Sequence, residues 1–329
     1  MKHSTRWLTQ LRNVGTVALL ALSGVAAQAG EYPDHPIRLL VPGAAGGGMD
    51  VMARLVAASI SQTLKKPIVV ENKPGAAGNI AINQLAHSPA DGYTVALGQT
   101  SQLAINPTLY GNLPYDALKD FAPIVLLSEA PNVIVVSAKS PIKSVADLIA
   151  AAKKASDGLD LATPGVGTVS HLSAEMLQKA AGVKFRHIPY KGADGALTDT
   201  LAQRVPVMLS SIPTALALIQ SGQLRALAVT APKRNPVLPD VPTMEDQGYP
   251  GFYAATWYGL LMPAGTPAGI VARVNTAANA ALKSDAVAKR ILAEGGVVIG
   301  GSSEAFKTRL ETDTTKWSKI IKDAGIHMN

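Results

Sequence analysis

Two glycine-rich turns carry the chemistry this sequence offers. The first, Gly43-Ala44-Ala45-Gly46-Gly47-Gly48-Met49-Asp50, follows the apolar run Leu39-Leu40-Val41 and leads into Val51-Met52-Ala53. The second, Thr163-Pro164-Gly165-Val166-Gly167-Thr168, follows Leu159-Asp160-Leu161-Ala162 and leads into Val169-Ser170-His171-Leu172. Each pattern predicts a strand that stops at small residues and a helix that starts at once. Unpaired backbone N–H groups are then exposed at a helix N-terminus, where the peptide dipoles favour negative charge. Glycine at positions 46, 47 and 48 permits positive φ and close approach of a ligand to the backbone. Two such turns facing each other across a cleft would clamp a small anion, a carboxylate above all.

Asp50 puts a carboxylate beside an anion site, which repels the ligand unless a water or a proton intervenes. It is read as doing two things, capping the helix and holding a bridging water. Gln99, Thr100 and Ser101 end the run 93–98, and Asn79 follows the turn 72–78. All four are neutral donors for the cleft, with ordinary loop capping as the competing role. Thr163, Gly165, Gly167 and Thr168 form the second half of the clamp, with Thr168 as helix cap or direct hydroxyl donor. His171 falls in the first helical turn, whose positive end disfavours imidazolium. A neutral histidine bonded to a carbonyl is expected there before a ligand contact. Tyr190 and Lys191 follow a strand, and Lys191 either faces the anion or is solvated. Ser210 and Ser211 flank the start of a short helix and are read as pocket-lining.

Other functions are excluded by what is missing. The 329 residues contain no Cys, so thiol nucleophiles, disulfides, thiolate metal sites and lipid-modified cysteines are all absent. No H-E-x-x-H, G-x-S-x-G or G-x-x-x-x-G-K-[ST] motif occurs, and Gly165-Val166-Gly167 lacks the third glycine of a dinucleotide fingerprint. His35, His87, His171, His187 and His327 are scattered along the chain. The expectation is a protein that is not an enzyme and holds no cofactor and no metal. Of the net charge of +7, three units (Lys2, Arg6, Arg12) lie in residues 1–29, which hold no acid, leaving +4 on the rest. That mild excess, with aromatics at 5%, lacks the basic stripe and stacking rings of a nucleic-acid surface but helps draw small anions.

The elements that must position these residues alternate strand and helix. Residues 1–29 read as a cleavable signal peptide, with a positive start, an apolar stretch 14–27 and the cleavage site Ala27-Gln28-Ala29, which sends the chain to a bacterial periplasm. Strands are expected at 37–41, 68–71, 93–97, 124–127, 133–137, 159–162, 185–190, 205–210, 224–230 and 255–262. Helices are expected at 49–64, 144–154, 170–181, 193–202, 213–221, 268–283 and 303–324, with one more ending near 87. This is an α/β pattern with mainly parallel pairing. Roughly 300 residues exceed what one core holds, so two domains are expected. The alternation restarts near 131 and the chain returns near 253. Domain 1 is therefore 30–130 with 253–329, domain 2 is the inserted 131–252, and the ligand cleft lies between them.

With blocks such as Tyr32-Pro33 with Pro36-Ile37-Arg38, Leu224-Arg225-Ala226-Leu227-Ala228-Val229-Thr230 and Trp257-Tyr258-Gly259-Leu260 beside the two glycine-rich turns, the chain resembles the Bug-type, TctC-like substrate-binding proteins of tripartite tricarboxylate transporters. The resemblance runs from about 32 to 326. It rests on Val41-Pro42 with Gly46-Gly47 and Asp50, on Val70-Glu71-Asn72-Lys73-Pro74-Gly75 with Gly78-Asn79, and on Asp91-Gly92-Tyr93-Thr94. Further blocks are Gly165 with Gly167-Thr168 and His171-Leu172, Pro189-Tyr190-Lys191-Gly192, and Leu238-Pro239-Asp240-Val241-Pro242-Thr243. The resemblance implies a two-lobed periplasmic binding protein fold of type II-like form, its lobes joined by a two-strand hinge. It implies capture of a carboxylate, often through ordered waters held by the two glycine-rich turns, and delivery to integral membrane transporter subunits by a monomer. A ligand-presenting sensor for a membrane signalling partner, or a secreted carboxylate-ester hydrolase, are the alternatives. Family members often carry an aromatic residue and a proline after Val-Pro, where this chain has Gly43-Ala44, a difference that bears on ligand class.

Overall fold

The computed structural model describes residues 32–328, so the signal-peptide expectation for 1–29 lies outside the described residues. The first strand, β1 (Ile37–Val41), is apolar at four of five positions and takes parallel neighbours on both edges. These are β2 (Ile68–Asn72) and β3 (Thr94–Gln99). A strand buried between two parallel partners reads as a continuous apolar run, which is what Ile37–Val41 is. Helix α1 (Gly48–Leu64) covers this sheet with Met52, Val56, Ile60 and Leu64, a four-residue spacing that makes one apolar stripe. Helix α2 (Asn79–Ala86) follows β2.

The expectation of mainly parallel pairing is corrected at the centre of the molecule. There β4 (Phe121–Ser137) and β9 (Ala255–Pro263) run antiparallel to each other, and β9 is antiparallel to β3. The break expected at Ser128-Glu129-Ala130-Pro131 does not occur, because β4 is one strand of 17 residues serving two sheets. Through Pro131 it pairs with β9, and from Asn132 onward with β7 (Val207–Ser211) and β8 (Leu224–Val229). Pro131 sits where β4 changes partners, a place where its missing N–H interrupts no continuous ladder. Beyond β7 the second sheet continues through β5 (Leu159–Thr163) to β6 (Phe185–Pro189), all in parallel. Two sheets joined through one long strand give a two-lobed α/β molecule, and residues 35–328 belong to one compact unit.

Helix α3 (Asn106–Leu109), preceded by a π-helical turn at Ser101–Ile105, was not legible as an element. Nor was the helix Asp285–Ala293, a short one that buries only Val287 and Ile291. Helix α5 (Val169–Ala181) behaves unexpectedly. Its Val169 and Leu172 pack in the core of the first sheet's lobe with Leu103, Leu109 and Trp257, while Ala174 and Leu177 pack in the other lobe's core. The last helix, α10 (Ser303–Ala324), buries Phe306, Leu310, Asp313, Trp317 and Ile321 along one face. Full burial of each apolar member contributes about 1.5–3 kcal/mol. Among the described residues no helix is long and apolar enough to cross a membrane.

Candidate functional site

The turns after β1, β2 and β3 meet the turn after β5 around a cavity of about 390 Å³. All four lie at carboxyl ends of parallel strands, where open α/β sheets leave a crevice. The cavity is lined by Gly43 and Ala44 from the first glycine-rich turn and by Val166, Gly167 and Thr168 from the second. Gln99, Ser101, Gln102 and Asn106 supply neutral polar groups, and no lining residue carries a formal charge. A larger hollow, about 1020 Å³, lies between α5 and α10, with Lys179, Tyr249 and Lys316 in its wall. Neither glycine-rich turn reaches it, so the smaller cavity is the better candidate for anion capture.

In the first turn Gly47 is the residue before the helix and Gly46 has φ +79°, a conformation that strains any residue with a Cβ. Asp50 is therefore a first-turn acid and not the cap expected from sequence. It is 4% exposed; its Oδ2 accepts the Gly46 N–H at 2.9 Å, and the Arg54 guanidinium lies 3.0 Å from the carboxylate. The bond to Arg54, then the bond from Gly46, hold the Asp50 carboxyl down at about 2. The charge that would repel an anion is thus paired inside its own helix. Gly78 permits a further close approach, since a Cβ there would sit 2.3 Å from Gln102 Nε2. Gln102 Nε2 donates to Ala77 O at 3.0 Å, while its Oε1 is buried without a partner.

In the second turn Thr168 caps α5: its Oγ1 accepts from His171 N at 3.2 Å and donates to Gly165 O at 2.8 Å. His171 is buried, and its Nδ1 accepts the Gly167 N–H at 3.2 Å, so its partner is an amide and not the carbonyl expected. Burial, then the neighbouring His187, push its pKa down to about 4, which keeps it neutral. His187 Nε2 lies 2.9 Å from Glu175 Oε1, and the ligating atoms of His171, Glu175 and His187 all fall within 4.8 Å of one another. Metal ligation through Nε2 normally needs Nδ1–H as a donor. The Gly167 amide demands the opposite tautomer, so the trio reads as a support beneath the turn. Because the native state rejects a proton that the unfolded chain accepts below its ordinary 6.5, stability falls as pH drops from about 6.5 to about 4. His171→Asn is expected to remove that acid-side loss; equal pH slopes for both proteins between 7 and 4.5 in denaturant melts would refute it.

Several candidates lie elsewhere. Asn79 Oδ1 is taken by Asn106 Nδ2 and Tyr115 OH, both at 2.8 Å, beside the cavity. Thr100 is fully buried, and its Oγ1 accepts from Trp257 N at 2.8 Å, which ties β3 to β9. Thr163 and Ser210 are fully buried with hydroxyls that lack a partner. Tyr190 bonds Asp199, and Lys191 is an exposed loop residue. Gly48 and Ser211 line a separate hollow of about 220 Å³, where Ser211 Oγ meets Thr214 Oγ1 at 2.8 Å. Sequence reasoning missed Gln102, Asn106, Leu109 and Tyr110, which the unforeseen π-helical turn and α3 bring to the cavity wall. The amide-rich stretch from Gln99 to Asn106 was the available signal.

Residues 52–326 match the model of the tripartite tricarboxylate transporter family receptor. Protein BugT of Bordetella pertussis is 35% identical over 309 residues, covering 93% of this chain and 95% of that one. The structure of Rhodopseudomonas palustris Rpa4515 with adipate is 35% identical and covers 90% of this chain and 99% of that one, with a TM-score of 0.79. MatC of the same organism, with bound malate, is 31% identical over 88% of this chain and all of that one, with a TM-score of 0.75.

Proposed function

We propose that this chain, which belongs to the tripartite tricarboxylate transporter receptor family, is a periplasmic receptor that captures a small carboxylate and hands it to membrane transporter subunits. One observation carries the reading: two glycine-rich turns, from two different sheets, line one cavity free of charged side chains. A carboxylate there is held by amide and hydroxyl donors and by helix N-termini, and its class is that of the adipate and malate in the neighbouring structures. Four or five hydrogen bonds to an anion, at about 1.5–3 kcal/mol each before ordering costs, are consistent with micromolar affinity, about −8 kcal/mol.

On this reading the lobes are 30–130 with 253–329 and the inserted 131–252, and a ligand touching both favours the closed arrangement. One chain supplies both half-sites, so a monomer suffices. The leader 1–29 is removed on export. A thermal-shift series on residues 30–329 tests the function: sodium acetate, benzoate, malate, adipate and citrate, each beside its amide. Stabilisation by an acid and not by its amide is expected; no response to any acid, after refolding to strip co-purified ligand, would refute carboxylate capture. Thr168→Ala is expected to weaken binding at least tenfold while costing about 1 kcal/mol of stability through the lost helix cap. Unchanged affinity would remove Thr168 from the site.

A further inference from the structure

Beneath the first glycine-rich turn, three side chains close a ring of hydrogen bonds. Asp50 Oδ2 accepts from Gly46 N at 2.9 Å, and Arg54 Nε lies 3.0 Å from that carboxylate. Arg54 Nη2 donates to Asn72 Oδ1 at 3.2 Å, and Asn72 Nδ2 donates to Gly43 O at 3.0 Å. The ring therefore runs from a carbonyl at one end of the turn to an amide at the other. It crosses two elements, since Asp50 and Arg54 are one turn apart on α1 while Asn72 ends β2. Neither Arg54 nor Asn72 lines the cavity, whereas Gly43 and Ala44 do.

The arrangement settles two problems of an anion site made from backbone. A glycine-rich turn has little conformational preference of its own, and each residue left free in the empty state must be ordered when ligand binds. Tying down Gly43 O and Gly46 N orders the turn beforehand. The Gly43 carbonyl, an acceptor that would repel an anion, is occupied by Asn72. The second problem is the Asp50 charge, which lies four residues from the amide it anchors, beside a cavity whose lining offers no cation. Arg54 supplies the compensating charge at 3.0 Å.

We propose that Arg54 and Asn72 are positioning residues for anion capture: Arg54 cancels the Asp50 charge, and the two together hold the turn from Gly43 to Gly46 in its binding conformation. The proposal rests on the receptor reading above. Arg54 has 54% of its side chain exposed, so replacing it is compatible with folding.

The test uses Arg54→Gln, Asn72→Ala, Asp50→Asn and the double variant Arg54→Gln/Asp50→Asn in the full mature chain. Calorimetric titration with the sodium salts of acetate, benzoate, malate, adipate and citrate gives affinities. Exchange of the Gly46 amide, followed by NMR, reports the brace without ligand. Arg54→Gln is expected to weaken the best-binding salt at least tenfold, Asn72→Ala at least threefold, and the double variant to return to within threefold of Asp50→Asn. Gly46 exchange should accelerate at least tenfold in Arg54→Gln. Affinity within twofold of wild type in Arg54→Gln, or no recovery in the double variant, would overturn the charge-cancelling role, and unchanged Gly46 exchange would overturn the brace. If wild type binds none of the salts, the receptor reading fails by itself, and Gly46 exchange alone decides the brace.

Discussion

Gly167→Val is expected to abolish carboxylate binding, weakening it more than a hundredfold, and to lower the melting temperature. Gly167 has φ +72°, where a β-branched residue is strained by about 1–2 kcal/mol or more. Space is the second obstacle. A Cβ on Gly167 would lie 2.2 Å from Leu109 Cδ2, with Leu109 Cγ at 3.4 Å. Leu109 is 3% exposed and packed among Leu103, Ile105, Val169 and Leu172, so the way left for it to move is into the cavity that it lines. The second glycine-rich turn thus rests directly on α3 of the other lobe, and a larger residue there wedges the two halves of the cavity apart. Gly167→Ala should show the same defect in milder form. Leu109→Ala should relieve the clash while costing about 2–5 kcal/mol for the space left behind. The check is affinity and thermal melting on the set Gly167→Val, Gly167→Ala, and Gly167→Ala with Leu109→Ala. Wild-type affinity in Gly167→Val would mean that the second turn does not take part in the clamp.

Arg309→Met is expected to be the most destabilising single change among these, at about 3–5 kcal/mol, a fall in melting temperature on the order of 10 °C. Arg309 lies on α10, and its guanidinium serves three partners. Nε donates to Asp313 Oδ2 at 2.8 Å, one Nη to Glu129 Oε2 at 3.2 Å, and the other to Tyr253 OH at 2.7 Å. Tyr253 OH also donates to Glu129, and Trp257 Nε1 donates to Asp313 Oδ2 at 2.7 Å. Glu129 sits at the middle of β4 and Tyr253 just before β9, the two places where the chain passes between sheets. With Arg309 removed, Glu129 and Asp313, exposed by 8% and 4%, lose their cation inside the protein. An unpaired buried carboxylate costs more than the pair ever contributed. Lysine is no substitute, because a compact ammonium does not span three acceptors as a planar guanidinium does. Chemical denaturation of Arg309→Met, Arg309→Lys and Arg309→Met/Glu129→Gln checks the claim. A partial recovery in the double variant is expected, and a loss under about 1 kcal/mol in Arg309→Met would refute it.

Most elements were legible because their burial follows local rules. The short apolar run Ile37–Val41 ends at Pro42-Gly43, which marks a buried strand, and Phe306, Leu310, Trp317 and Ile321 repeat at helical spacing, so β1 and α10 appear where local pattern puts them. The two glycine-rich turns were visible from the sequence as well, since glycines between an apolar run and a helical pattern mark a tight turn that needs positive φ. The strand β4 was not, because Ser128-Glu129-Ala130-Pro131 carries every local mark of a break. Pairing with β9 on one edge and with Val297–Val298 on the other makes a strand of it, and Arg309 holds the Glu129 carboxylate there. Asp313 was invisible likewise: an acid in an apolar stripe is explained only by Arg309 and Trp257.

The sequence by itself determined the α/β class, the two glycine-rich turns and the family, since each rests on residues near one another in the chain. Tertiary structure alone decided that the two turns line one cavity, that Leu109 stands against Gly167, and that Arg54 pairs with Asp50 while Asn72 holds the Gly43 carbonyl. The cavity and the Leu109–Gly167 contact join residues tens of positions apart through strand pairing and helix packing, and the brace depends on the parallel register that sets Asn72 beside Val41. Local pattern records which residues are buried or turned; which residue each one meets is set by how the sheets close.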